Sequence, residues 1–267
     1  MTGSQSKAMA TEGLMPEFRS GSALGENCRN QAEISCGNCR LSELCLPIGL
    51  KKSEIHQLDN IIERNRPLHK GDHLYRQNDA FSTVFAVRSG SFKTYVLTDS
   101  GVGRVTGFYL PGEIIGMDGI ASHRYNCSAQ SLEHSSICEI PFSQLEDLSQ
   151  QLPVLQHQFF AMMGSEIAKD HQVHTLLSSY SAEQRIASFL LGLSARYARV
   201  SLSATRFVLP MRRGDIGEYL GLTLETVSRV LGLLQRKELI VVSNREITLL
   251  DLAALRMVVE TDPSQSV

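Results

Sequence analysis

Six cysteines stand at Cys28, Cys36, Cys39, Cys45, Cys127 and Cys138. Two residues separate Cys36 from Cys39, and five separate Cys39 from Cys45, with Pro47 just beyond. Three thiolates at that spacing can converge on one centre from a single short loop, which leaves a fourth ligand to come from elsewhere. Soft thiolate donors select zinc, copper(I) or an iron–sulfur cluster. A structural zinc site with four cysteine ligands is chemically compatible with the same spacing. The first 27 residues lack the apolar core of a signal peptide, and no run approaches the ~18–20 apolar residues that span a bilayer, so the chain is expected to be cytoplasmic. In that reducing compartment a tight cysteine group reads as a metal site or as reactive thiols rather than a disulfide framework.

A second group of residues has the layout of a helix-turn-helix. Over 213–234, a short first helix turns Ile216 and Leu220 inward and ends at Gly221, which readily takes the left-handed backbone of a tight turn. Leu222 plugs the angle, and Thr223 is a suitable N-cap for a second helix starting at Leu224. At roughly 100° per residue, Glu225, Ser228 and Arg229 share one arc, and Val227, Val230, Leu231 and Leu234 share the other. Recognition helices read bases from their N-terminal end. There Arg229 can donate two hydrogen bonds to a guanine, Glu225 can accept from a cytosine amino group, and Ser228 can reach a neighbouring base. Arg212 and Arg213, just upstream, are candidate phosphate contacts.

These groups have to be positioned by about two modest domains, given 267 residues, 42% apolar and 20% charged. The net charge of −2 excludes coating of nucleic acid by bulk electrostatics, yet 180–250 holds ten Lys or Arg against six Asp or Glu. The C-terminal part is therefore the one that meets DNA. Short apolar stretches at 83–87, 92–97, 105–110 and 137–140, punctuated by Gly- and Pro-bearing turns, predict a compact antiparallel barrel or roll. From Leu152 the period changes. Leu152, Leu155, Phe159, Met162, Met163, Ile167, Val173 and Leu177 recur at steps of mostly three and four, which predicts one apolar stripe on a long helix suited to a dimer seam. Helical stretches at 182–197 and 213–237 follow, then a hairpin formed by 239–242 and 246–250 about Asn244.

The run Glu225-Thr-Val-Ser-Arg229, the preceding Gly-Asp-Ile-Gly-Glu-Tyr-Leu-Gly-Leu and the hairpin Phe85-Ala-Val-Arg-Ser-Gly90 resemble the cyclic-AMP receptor protein superfamily. The segment from Ile34 to Pro47 resembles its fumarate and nitrate reduction regulator branch, Anr-like relatives included, and the likeness runs from about Cys28 to Leu250. The resemblance implies an α+β fold with an N-terminal antiparallel β-roll sensor, a long dimerisation helix and a C-terminal winged helix-turn-helix. On that basis 1–27 is expected to be a disordered tail, 28–50 the cysteine segment, 51–150 the sensor, 151–178 the dimerisation helix, 179–254 the DNA-binding domain and 255–267 a tail. It further implies an oxygen-responsive regulator, active as a homodimer on palindromes like TTGAT-N4-ATCAA, with RNA polymerase as a partner and activation or repression of anaerobic-metabolism genes as the outcome. The cofactor it implies is a [4Fe-4S] cluster on Cys36, Cys39, Cys45 and, as fourth ligand, Cys138 rather than Cys127 or Cys28, with Leu44 shielding it from solvent.

Asp170 falls on or beside the predicted seam, between Ile167 and Val173 at steps of three. Like charges brought together there by two-fold symmetry repel, and the resemblance supports a role in keeping the cluster-free chain monomeric. Where cyclic-nucleotide-binding relatives have an Arg-Ser pair, this chain has Tyr125-Asn126-Cys127-Ser128, so no cyclic-nucleotide response is expected, and the Pro111-Gly112-Glu113 turn is read as scaffold. Cys127 reads as a small buried hydrophobe, Cys28 as a free thiol, and His171 and His174 as surface or seam positions. No Gly-rich phosphate loop follows a predicted strand, which argues against an enzyme. The competing reading is a regulator of the same fold with structural zinc or another effector in place of the cluster.

Overall fold

The computed structural model describes residues 35–98, 101 and 103–260; the predicted N-terminal tail and Cys28 lie outside the described residues. After the cysteine loop come helix α1 (Lys52–Asn60) and seven strands: β1 (His73–Tyr75), β2 (Thr83–Ser89), β3 (Phe92–Leu97), β4 (Gly103–Tyr109), β5 (Ile114–Ile115), β6 (Ser128–Ser131) and β7 (Ser136–Pro141). They form two antiparallel sheets, ordered β1-β6-β3-β4 and β5-β2-β7. Tyr75, Phe92 and Ala129 of the first sheet share a core with Phe85, Val87, Ile115 and Ile137 of the second, so the sheets pack face to face. The opposite face of the second sheet carries Val84, Ala86 and Ile140 into another core. Strand β2 is thus buried on both faces, which is why Val84-Phe85-Ala86-Val87 runs apolar without alternation.

That second core is closed by helices α2 (Phe142–Gln151) and α3 (Pro153–Ser179), with Leu145, Leu148, Leu155 and Phe159 directed into it beside Leu46 of the cysteine loop and Leu58 of α1. Proline at the first position of α3 suits a helix start, since its missing N–H has no intrahelical partner there.

Helix α3 corrects one expectation. Leu152, Leu155 and Phe159 are buried against the chain's own β-roll, whereas Phe160 is 58%, Ile167 56% and Leu177 37% exposed. Two stripes run along the helix, each with alternating steps of three and four and offset by one residue. One is Leu155, Phe159, Met162, Glu166, Lys169, Val173 and Leu176; the other is Phe160, Met163, Ile167, Asp170, His174 and Leu177. The single predicted stripe mixes members of both.

Ser181 caps the next helix, α4 (Ala182–Arg199), through a reciprocal pair: Gln184 N donates to Ser181 Oγ (3.3 Å) and Ser181 N donates to Gln184 Oε1 (2.8 Å). Strand β8 (Arg206–Val208) is followed by helices α5 (Arg213–Leu220) and α6 (Leu224–Arg236), the hairpin β9 (Ile240–Ser243) and β10 (Glu246–Leu249), and helix α7 (Leu252–Glu260). The three strands form a sheet ordered β8-β10-β9 beside the two helices, a winged helix-turn-helix. Helix α7 occupies part of the segment expected to be a tail, because Leu255 is fully buried and Leu252, Val258 and Val259 pack on the same core. Val105, Phe108 and Leu110 join that core from the β-roll, which therefore packs directly against α4 and α5.

Candidate functional site

Consecutive turns wind the cysteine loop. Cys36–Asn38 forms a single 3-10 turn, Ser42 N donates to Cys39 O (3.0 Å), and Ile48 N donates to Cys45 O (3.2 Å). Leu41 and Leu46, both buried, anchor it. Across from it, Cys138 lies on β7 opposite Ala86 of β2, and the period-2 alternation directs it to the same core as Ile140, which Cys45 also borders. Cys45 and Cys138 border the same core, and the charge of Cys138 bears on Cys36 and Cys45 while that of Cys39 bears on Cys45 and Cys138, so the four thiols share one neighbourhood. Cys127 is directed into the other core, with its Sγ 3.3 Å from Asp118 Oδ2 and 3.9 Å from the Tyr75 hydroxyl.

Burial pushes the Cys45 thiol up to about 12, a backbone bond from Leu46 opposing and the neighbouring thiols adding. Burial raises Cys36 further, reinforced by Asp59 and opposed by Arg64, and raises Cys138 against the pull of Arg64 and Arg88. These three thiols stay protonated at neutral pH unless a cation compensates the thiolates, which is what a bound metal does as it displaces their protons. Arg64 Nη2 donates to Cys36 Sγ (3.7 Å) and pairs with Asp59, whose Oδ1 also accepts from Cys36 N (2.8 Å). Arg64 Nε is buried with no hydrogen-bond partner among the described residues. Sequence reasoning missed Asp59 and Arg64, since neither has a spacing that ties it to the cysteines. The donor set, four soft sulfurs with two guanidinium groups nearby, fits an anionic iron–thiolate centre. Among the described residues, no three Cys, His, Asp or Glu side chains are gathered closely enough to hold a single ion.

Helices α5 and α6 are joined through Gly221, which has a φ of +63°, and the turn lies so close on α5 that a Cβ on Gly217 would fall 2.6 Å from Leu222 O. Thr223 Oγ1 accepts from Thr226 N (3.2 Å), capping α6. Val227, Val230, Leu231 and Leu234 are buried, while Glu225 and Arg229 are exposed and Ser228 is half-buried. Arg213 Nη1 donates to Ser228 Oγ (3.2 Å), so the hydroxyl is engaged from α5; Arg212 is exposed. Asp215 accepts from Arg212 N (2.9 Å) and from Lys93 Nζ of β3 (2.6 Å), tying the first helix to the β-roll.

Asp170 is exposed on the outward stripe of α3, one turn from Ile167 and one from His174. Leu44 is half-buried and lies on Gly112, where an added Cβ would be 3.4 Å from Leu44 Cβ. In the segment that replaces the Arg-Ser pair, Tyr125 is buried and stacked on Tyr75 at 3.7 Å, and Arg124 Nη1 donates to Asn78 O (2.7 Å). Among the described residues no helix is long and apolar enough to cross a membrane.

Two family profiles match the chain: the cyclic nucleotide-binding domain over residues 65–151 and the Crp-like helix-turn-helix domain over residues 184–258. The transcriptional activator protein FnrA of Stutzerimonas stutzeri is 47% identical over 84% of this chain and 91% of its own length. The fumarate and nitrate reduction regulatory protein of Vibrio cholerae is 44% identical over 83% of this chain and 89% of its own. Among solved structures, FixK2 from Bradyrhizobium japonicum is similar with a TM-score of 0.67 and 28% identity, over 74% of this chain and 97% of that one. The α+β fold and the helix-turn-helix expected from sequence are those of these regulators, and the chain is a regulator rather than an enzyme. The exposed α6 face, the thiol centre and these identities together make the chain a member of the Crp/Fnr family of transcription regulators, on the branch of the Fnr and Anr activators.

Proposed function

We propose that the chain is an oxygen-responsive, cytoplasmic transcription regulator that holds a [4Fe-4S] cluster on Cys36, Cys39, Cys45 and Cys138. The observation that carries this reading is that Cys138 of β7 borders the same core as Cys45 of the loop, whereas Cys127 lies in the other core. When bound, such a cluster supplies an oxygen-labile covalent tie among four sulfurs.

The chain's own residues do the rest. The loop cysteines and Cys138 pin the loop to the second sheet. Arg64, oriented by Asp59, offsets thiolate charge at Cys36 and Cys138, and Leu44 screens the side nearest Gly112. The outward stripe of α3 forms the seam of a homodimer, with Phe160, Ile167 and Leu177 as its apolar contacts. Facing Asp170 carboxylates weaken that seam, so pairing depends on the state of the thiol centre. The dimer presents two α6 helices to successive major grooves of a TTGAT-N4-ATCAA-like palindrome, with Arg229, Glu225 and Ser228 at the bases and Arg212 and Arg213 at phosphates. Bound there, it contacts RNA polymerase and activates or represses anaerobic-metabolism genes.

The test is fluorescence anisotropy on the palindrome and on a scrambled duplex, under nitrogen and again after air. The expected result is tight, selective binding under nitrogen that is lost in air together with visible absorption. Equal binding in both atmospheres would refute oxygen control.

A further inference from the structure

The Pro111-Gly112-Glu113 turn, read from sequence as scaffold, is where three parts of the molecule meet. Glu113 is buried at 9% exposure, and its carboxylate is fully engaged. Oε1 accepts from Arg196 Nε (2.8 Å), and Oε2 accepts from Arg196 Nη2 (2.6 Å) and from Leu110 N (2.9 Å). Arg196, from α4 of the DNA-binding domain, also donates to Phe108 O of β4 (2.6 Å). Lys169 of α3 stands 3.8 Å from Glu113 Oε1 and pairs with Glu166. Burial alone would raise the Glu113 carboxyl, but Arg196 first and Lys169 after it bring it below its ordinary value, so it is held ionised. On the other side of the turn, Gly112 rests against Leu44, the residue before Cys45. A cavity of about 180 Å³ between Leu44, Glu113, Met162 and Lys169 leaves this side of the turn room to shift.

The chain of contacts is short. From Cys45 it passes through Leu44 and Gly112 to Glu113, and there it divides. One arm is a two-bonded carboxylate–guanidinium pair to α4, which shares its core with α5 and α6. The other reaches Lys169, next to Asp170 on α3. A paired geometry of that kind tolerates little displacement before one of its hydrogen bonds is lost, so a shift of the turn is felt as a discrete change. We propose that the Glu113–Arg196–Lys169 junction is the coupler through which the position of the cysteine loop sets both the dimer helix and the DNA-binding domain. This rests on the thiol centre controlling DNA binding. Glu113 is accordingly a positioning residue, in contact with neither the thiols nor DNA.

The experiment compares wild type with Glu113→Gln and Lys169→Met in the full chain. The readout is the ratio of dissociation constants for the palindrome after air and under nitrogen, with iron content and visible absorption recorded alongside. The coupler predicts that Glu113→Gln keeps its iron and absorption but lowers the ratio tenfold or more, and that Lys169→Met, at a half-exposed position, lowers it several-fold. A residue with a merely structural part would weaken binding in both states and leave the ratio alone. If Glu113→Gln does not fold, because Arg196 is left buried without its partner, Glu113→Gln/Arg196→Gln removes both charges and Lys169→Met still decides. A wild-type ratio kept by the variants that fold would overturn the coupler while leaving the functional reading intact. A wild-type ratio near one would overturn both.

Discussion

Phe159 and Phe160 are adjacent in the chain, yet the structure assigns them opposite tasks. Phe159 is 7% exposed in the sensor core, and Phe160 is 58% exposed on the outward stripe of α3. Fully burying a phenylalanine side chain stabilises by ~2–3 kcal/mol, so covering the exposed part of Phe160 contributes roughly 1.2–1.7 kcal/mol per protomer. Two-fold symmetry doubles this to about 2.4–3.4 kcal/mol, roughly a 60- to 300-fold change in the dimer dissociation constant. Phe160→Ala should therefore shift the monomer–dimer equilibrium of the anaerobic protein by about that factor while leaving the urea midpoint of the cluster-free monomer near wild type. Phe159→Ala should instead cost the protomer ~3–5 kcal/mol, since it empties a packed site. Sedimentation equilibrium and urea unfolding on both variants separate the two effects. Wild-type dimerisation in Phe160→Ala, or a stable but monomeric Phe159→Ala, would show that the seam has been placed on the wrong face.

Further substitutions at Asp170, at Arg229 and Arg212, and at Arg64 test other parts of the molecule. Asp170→Ala should dimerise and bind the palindrome in air without a cluster, because it removes the carboxylate repulsion from the seam; a variant as monomeric as the cluster-free parent would reject that role. Arg229→Ala should cost ~1–3 kcal/mol on the palindrome and relax selectivity at the guanine, whereas Arg212→Ala should weaken all sequences alike and flatten the salt dependence; equal losses on cognate and random DNA for Arg229→Ala would remove it from base readout. Arg64→Leu should lower cluster retention against an iron chelator by about 10- to 100-fold, the usual penalty for losing a partner of a metal-bound ligand, with partial recovery in Arg64→Lys; unchanged retention would make Arg64 a structural residue only.

Much of the architecture was legible because it depends on local chemistry. The Gly221 turn, the Thr223 cap and the apolar arc Val227, Val230, Leu231 and Leu234 are short-range signals, and each appears where sequence predicts it. The two stripes of α3 were not separable by periodicity, since both repeat at three and four and lie one residue apart; only the sensor packed on one of them tells them apart. Helix α7 was overlooked because Leu252, Leu255, Val258 and Val259 follow the last recognisable motif, and their partners lie on distant α4. At the thiol centre, spacing pointed to the loop cysteines. The arrival of Cys138 on β7, and of Asp59 and Arg64 beside Cys36, depends on tertiary packing that no spacing encodes. Glu113 was visible as part of a turn, but its partners Arg196 and Lys169 lie far along the chain.

Iron, zinc and acid-labile sulfide content after purification under nitrogen decides whether these four thiols hold an iron–sulfur cluster. Wild type, Cys138→Ser and Cys127→Ser form the set. Four-thiolate ligation through Cys138 gives brown wild-type and Cys127→Ser proteins with about four iron and four sulfide per chain, and a Cys138→Ser protein that has lost them, since three thiolates leave one iron open to water. A colourless wild-type protein with about one zinc and no sulfide would contradict it, and so would a fully loaded Cys138→Ser beside an empty Cys127→Ser.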